Sequence, residues 1–121
     1  MNDPIVDGEL FAAIGGSEAI AVVVDKLYER LVTDPAVLHY FEPDRLDALK
    51  AGQRAWFGAV LLGQVPTVDL ATAHAELEIT DAQVDVVIGH LASVLDEVDV
   101  APRHAAAIIG MVGRMWHARN F

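Results

Sequence analysis

The sequence predicts an all-α domain, on three observations. Apolar residues recur at intervals of three and four through several long segments. The punctuation is that of helix starts, with Asp34-Pro35, Pro43, Thr80-x-x-Gln83 and Pro102. No stretch shows the strict alternation of a half-buried strand. At 121 residues, 54% of them hydrophobic, the chain suffices for one domain with a real core. Neither a repeat nor a linker nor a low-complexity tract divides it, so residues 1–121 read as a single domain.

After "ELFAAIGG", Ser17 reads as the N-cap of a helix whose stripe is Ile20, Val23, Val24, Leu27, Tyr28 and Leu31. Asp34-Pro35 supplies a cap and a first-turn proline for the short "AVLHYF" turn. Pro43 opens a helix with Leu46, Leu49, Gln53, Trp56, Phe57 and Val60 on one face, ending near Gly63. "QVPTVDLATA" is loop-like, with one turn of helix leading to His74. Thr80 and Gln83 form a capping box ahead of Val84, Val87, Ile88, Leu91, Leu95 and Val98. Pro102 starts the last helix, whose stripe runs through Ile108, Ile109, Val112, Met115 and Trp116.

Composition excludes several function classes. With no cysteine, the chain has no disulfide framework, iron–sulfur cluster or Cys-bound zinc, and only histidine or carboxylate ligands are open to it. The opening "MNDPIVDGEL" lacks the basic and apolar regions of a secretory signal, and apolar runs such as "AIAVVV" are far too short to span a bilayer. A cytoplasmic protein with no membrane partner is expected. A formal net charge of −10 repels phosphate backbones, so no nucleic-acid partner is expected either. Only 7% of residues are aromatic, and a core of Ala, Val and Leu leaves room for a cofactor to fill.

Two stripes carry a polar residue at a core position. Tyr28 lies between Val24 and Leu31, and Gln53 lies four residues from both Leu49 and Phe57. A buried phenol and a buried amide each need a partner, since an unsatisfied one costs on the order of 1–3 kcal/mol. They serve each other, a shared ligand, or neither if the hydroxyl simply reaches the surface. His74 stands alone, without the second ligand at helical spacing that zinc requires. His39 and His104 are expected at the surface, and His90 partly buried. From residue chemistry alone the chain is a helical domain with a polar spot in its core.

Taken in order, Gly15-Gly16, "LYER" with Tyr28, the "HYF" turn with Phe41, Leu49-x-x-x-Gln53-x-x-x-Phe57, "AHAELEIT" with His74 and "VVIGHLASVL" resemble the truncated haemoglobins, most closely group I. The resemblance covers nearly the whole chain. It departs from the family pattern at Gly63-Gln64, where a second Gly-Gly is usual, in a segment 63–74 that is short, and at Val84, where a Phe is usual.

The resemblance implies a truncated globin, a 2-over-2 helical sandwich around a haem b. His74 becomes the proximal iron ligand; one suffices, because the porphyrin supplies four nitrogens. Tyr28 and Gln53 become distal hydrogen-bond donors to bound gas, with Phe41 and Leu49 beside the haem, and Leu77 and Ile79 closing its proximal side. Leu49 stands where many globins have a histidine, so a sixth protein ligand is not expected. His117, near the end of the last helix, is placed to contact a vinyl or propionate at the haem edge. Phe57, followed by Gly58 and Ala59, either lines a route for small gases or is a plain core ring. The ligands implied are O2, NO and CO, and the leading activity is oxidation of NO to nitrate with an external reductase. Oxygen binding, delivery or sensing without catalysis is the second reading, and a haemless helical interaction domain the third.

Overall fold

Five α-helices are present among the described residues of the computed structural model, which are 9–62 and 80–118, the side chains of 115–118 excepted. They are α1 (Glu9–Ile14), α2 (Gly16–Leu31), α3 (Leu46–Leu61), α4 (Asp81–Glu97) and α5 (Pro102–Ala118). No helix among these residues is long and apolar enough to cross a membrane.

Helices α2 and α3 pack on each other, as do α4 and α5, and α2 also lies against α4. Short α1 braces one end, touching α2, α3 and α5. The stripe read from the sequence is the buried face of α2: Ile20, Val23, Val24, Leu27, Tyr28 and Leu31 are all core residues. Trp56, Phe57, Val60 and Leu61 meet it from α3, and Leu91, Val94 and Leu95 from α4. Exposed ion pairs add lateral ties, from Lys26 and Arg30 of α2 to Glu97 of α4 and from Arg103 of α5 to Glu9 of α1. Such pairs contribute little each, ~0–1 kcal/mol.

The helix ends show why the chain breaks where it does. Thr80 caps α4 with the expected capping box: its hydroxyl accepts from the Gln83 N–H at 3.2 Å, while the Gln83 side chain accepts from the Thr80 N–H at 3.0 Å. At the other end of α4, Asp99 takes φ +62, the Asp99 N–H donates to the Asp96 carbonyl and the Val100 N–H to that of Leu95, and Val100 is buried. This is a Schellman closure with an aspartate in the place usually held by glycine.

Ser17 is not the N-cap of α2. The cap position belongs to Gly15, with no side-chain bond, and Ser17 lies inside the first turn. The reason is steric. Gly15 and Gly16 adopt φ +113 and +79, a conformation that lets α1 turn directly into α2 and that L side chains rarely reach. A Cβ on Gly15 would come within 2.9 Å of the Ala19 Cβ. Gly15→Ala is therefore expected to lower stability by at least about 1 kcal/mol, read as a lower urea midpoint at unchanged slope. An unchanged midpoint would mean that the turn can adopt another path.

Candidate functional site

Tyr28 and Gln53 meet as the converging stripes require. Tyr28, 4% exposed on the inner face of α2, is hydrogen-bonded to the side chain of Gln53, which is half-buried on α3. The phenol therefore does not reach the surface. Phe41 stands edge-on to the tyrosine ring, with centroids 5.5 Å apart and planes at 77°. Three residues expected at one site are thus brought together from α2, α3 and the connection between them.

That connection, 32–45, is shaped by its own sequence. The Asp34 carboxylate accepts from the Ala36 N–H at 2.9 Å, an Asx turn that starts the segment after α2. Two 3-10 turns follow, Leu38–Tyr40 and Pro43–Arg45, and the second runs straight into α3. Phe41 lies between them in extended backbone, its N–H donating to the Leu38 carbonyl.

Around this corner the two facing pairs leave apolar surface half-covered. On α3 the C-terminal half is buried, whereas Leu46, Leu49 and Gln53 toward its start are only half-buried. On α4 the C-terminal half is likewise buried, and Val84, Val87 and Ile88 toward its start are half-buried. The Tyr40 hydroxyl donates to the Gln83 side chain, tying the first turn of α4 to the residue next to Phe41. Apolar strips left half-open by the described residues, with a buried phenol and a half-buried amide among them, suit a largely apolar cofactor that carries a small polar group. The residues present fit a haem.

Leu49 lies one turn before Gln53, as expected. Phe57 is buried, its ring edge-on to Trp56 at 5.1 Å. Next to it Gly58 borders an open groove of about 480 Å3 between α2 and α3, floored by Ile20, Ala21 and Ala55 and also lined by Glu18 and Arg54. His74, Leu77 and Ile79 lie outside the described residues, as does the side chain of His117 at the end of α5.

Of the other histidines, His39 is exposed as expected, its ring against Tyr40. His90 is half-buried, and its Nε2 lies 2.6 Å from Asp34, whose carboxyl it holds below the ordinary carboxylate range. His104 is a correction: it is half-buried rather than solvated, because Glu9 of α1 lies 3.2 Å from it. Sequence reading also missed the Tyr40–Gln83 and His90–Asp34 contacts, whose partners are 43 and 56 residues apart.

Burial pushes the Tyr28 phenol from 10.0 up to about 12, and the hydrogen bond with Gln53 offsets part of that rise. The group is a neutral donor at every physiological pH. Below pH 10 both the folded and the unfolded chain hold this proton, so its contribution to stability is complete. Between 10 and about 12 the unfolded chain releases the proton and the folded chain keeps it, so stability falls through that window. Denaturant titrations across it should show the loss in the parent and a smaller loss in Tyr28→Phe; identical curves would place the phenol in water.

The family model described as Bacterial-like globin matches residues 9–121. Group 1 truncated hemoglobin LI410 of Chlamydomonas moewusii is 34% identical over 107 residues, covering 85% of this chain, which spans 63% of that protein's length. Group 1 truncated hemoglobin GlbN of Mycolicibacterium paratuberculosis is 30% identical, over 85% of this chain and 77% of that protein. Among solved structures, the 2/2 hemoglobin of Synechococcus sp., in the cyanomet state and with covalently attached heme, superposes with a TM-score of 0.79 at 24% identity. The match covers 86% of this chain and 89% of that one. The hemoglobin of Chloroflexus aurantiacus gives 0.75 at 23% identity, over 93% and 97%. These likenesses establish the 2-over-2 globin fold. The chain belongs to the bacterial-like globin family as a group 1 truncated haemoglobin, with haem iron as its cofactor and gaseous ligands such as O2 as what it binds.

Proposed function

We propose that this globin holds a five-coordinate haem b iron through His74 and retains dioxygen with Tyr28 and Gln53, so that nitric oxide is oxidised to nitrate. The observation that carries the reading is the buried phenol–amide pair on α2 and α3. His74 would hold the haem, which would supply a redox-active iron for binding dioxygen and for the one-electron chemistry that turns nitric oxide into nitrate, with an external reductase supplying the electron back.

The chain's own groups do the rest. Tyr28 stays protonated, so its O–H would be available to donate to bound dioxygen, with the Gln53 amide supporting it from the next helix. Charge-assisted bonds of this kind are worth about 1.5–3 kcal/mol, or roughly ten- to hundredfold in release rate. Slow release suits delivery poorly. It suits a second gas that arrives to react, and leucine rather than histidine at position 49 leaves the approach open.

Other residues fall into place around this centre. Phe41 and Leu49 face the haem on the distal side, Leu77 and Ile79 close the proximal side, and His117 contacts the haem edge. Phe57 either lines a route for small gases or is a plain core ring; its burial against Trp56 is compatible with both. Partners are O2, NO and CO, and an electron-donating reductase; the acidic surface supports neither nucleic acid nor a membrane as one.

His74 is the only histidine between α3 and the Thr80 cap. His74→Ala is expected to lose haem, or to keep it only when free imidazole is added; an unaltered ferrous spectrum would refute the assignment. The reaction is tested by mixing the oxygenated protein with NO in a stopped-flow instrument and assaying nitrate. Stoichiometric nitrate at a rate set by encounter is expected. Conversion at the rate of oxygen release would favour binding, delivery or sensing instead.

A further inference from the structure

The connection between α2 and α3 is pinned to α4 at two points. At its start Asp34 meets His90 at 2.6 Å, and at the end of its first 3-10 turn Tyr40 donates to Gln83. Gln83 and His90 are seven residues apart on α4, which places them two turns apart on one face. The segment 34–40 therefore runs antiparallel along that face as a strap, its first contact near the middle of α4 and its last at the N-cap. The next residue, Phe41, is the ring that stands against Tyr28.

Two features single out the second pin. Gln83 Oε1 already accepts from both the N–H and the hydroxyl of Thr80, so the amide is fixed by the cap before Tyr40 reaches it. Tyr40 in turn is joined to Phe41 by a single peptide within a hydrogen-bonded 3-10 turn, and that turn transmits a shift of one residue to the next. The path thus runs from the α4 cap through Tyr40 and Phe41 to Tyr28 and Gln53. Every link is a contact or a covalent step among described residues.

We propose that Tyr40 is a positioning residue: its hydrogen bond to Gln83 holds Phe41 against Tyr28 and so fixes the direction in which the phenol donates. The bond couples the cap of α4 to the strength with which the pocket retains oxygen. This rests on the reading of Tyr28 as the oxygen donor. Neither Tyr40 nor Gln83 touches the ligand in this scheme. Gln83 does two things at once, closing its own helix and anchoring the strap.

The chain contains two tyrosines, so Tyr40→Phe leaves Tyr28 as the sole source of a tyrosine signal. The test uses the haem-loaded protein labelled with carbon-13 at the tyrosine ring carbon that bears the hydroxyl. NMR spectra and oxygen release rates are compared for the parent, Tyr40→Phe, Tyr28→Phe, the double variant and Gln83→Glu. Tyr40→Phe is expected to move the Tyr28 signal and to speed oxygen release about three- to tenfold, the range of one partly lost hydrogen bond. In the Tyr28→Phe background the same change should have no further effect on release. Gln83→Glu keeps both the capping box and an acceptor for Tyr40, and should keep both readouts at the parental value.

A Tyr28 signal that stays in place in Tyr40→Phe overturns the proposal, whatever the release rates. So does a Tyr40→Phe effect of equal size with and without Tyr28, which would be the mark of general loosening. Parental release from Tyr28→Phe would overturn the oxygen-retention reading instead, and the NMR signal would then still decide whether Tyr40 positions the phenol.

Discussion

The burial of one face of α2 is the constraint on which the rest depends. From Ile20 to Leu31 that face is inaccessible to water, and it meets α1, α3 and α4 in turn. Most of the face is aliphatic, which fixes packing without direction. Tyr28 breaks the pattern by placing a hydroxyl where only protein or ligand can answer it. Because burying a phenol without a partner is costly, the Gln53 side chain that α3 brings beside it offsets part of that cost.

The same pair explains why the site is built as it is. Helices α3 and α4 both bury their C-terminal halves in the core, where each packs on α2. The starts of both helices are left half-covered, and the strap lies along α4 through its contacts with His90 and Gln83. A cofactor with a wide apolar body suits a core that the described residues leave half-covered at one end. Its composition, rich in small aliphatic residues and poor in aromatic ones, agrees with a core designed to receive a large ring from outside.

Much of this was legible in the sequence because it is written in local signals. Thr80 and Gln83 stand three apart, Pro102 heads the last helix, and the stripes through Tyr28 and Gln53 follow helical periodicity, so these features could be read residue by residue, whereas Pro43 opens a 3-10 turn that runs into α3 at Leu46 rather than the α-helix itself. The misreadings have physical causes. Ser17 is a good capping residue, but a left-handed Gly15 moved the helix start back and left the hydroxyl without that role. Asp99 closes α4 where a glycine would have announced the turn. His104 looked solvated because Glu9 is distant in sequence, and the strap contacts were invisible for the same reason. The assignment of His74, Leu77 and Ile79 rests on the resemblance, since these residues lie outside those described.

The Schellman closure at Asp99 has a further bearing on how the halves of the molecule are connected. Between α4 and α5 the chain turns in a few residues, so bringing those helices together costs little loop entropy. The strap is the opposite case, since Tyr40 and Gln83 are 43 residues apart and Asp34 and His90 are 56 apart. One half of the domain is therefore held by the shortness of its own chain. The other joins segments far apart in the chain, so its apolar packing and the two side-chain contacts of the strap together offset a longer closure, and it is on that costlier half that Tyr28 and Gln53 meet.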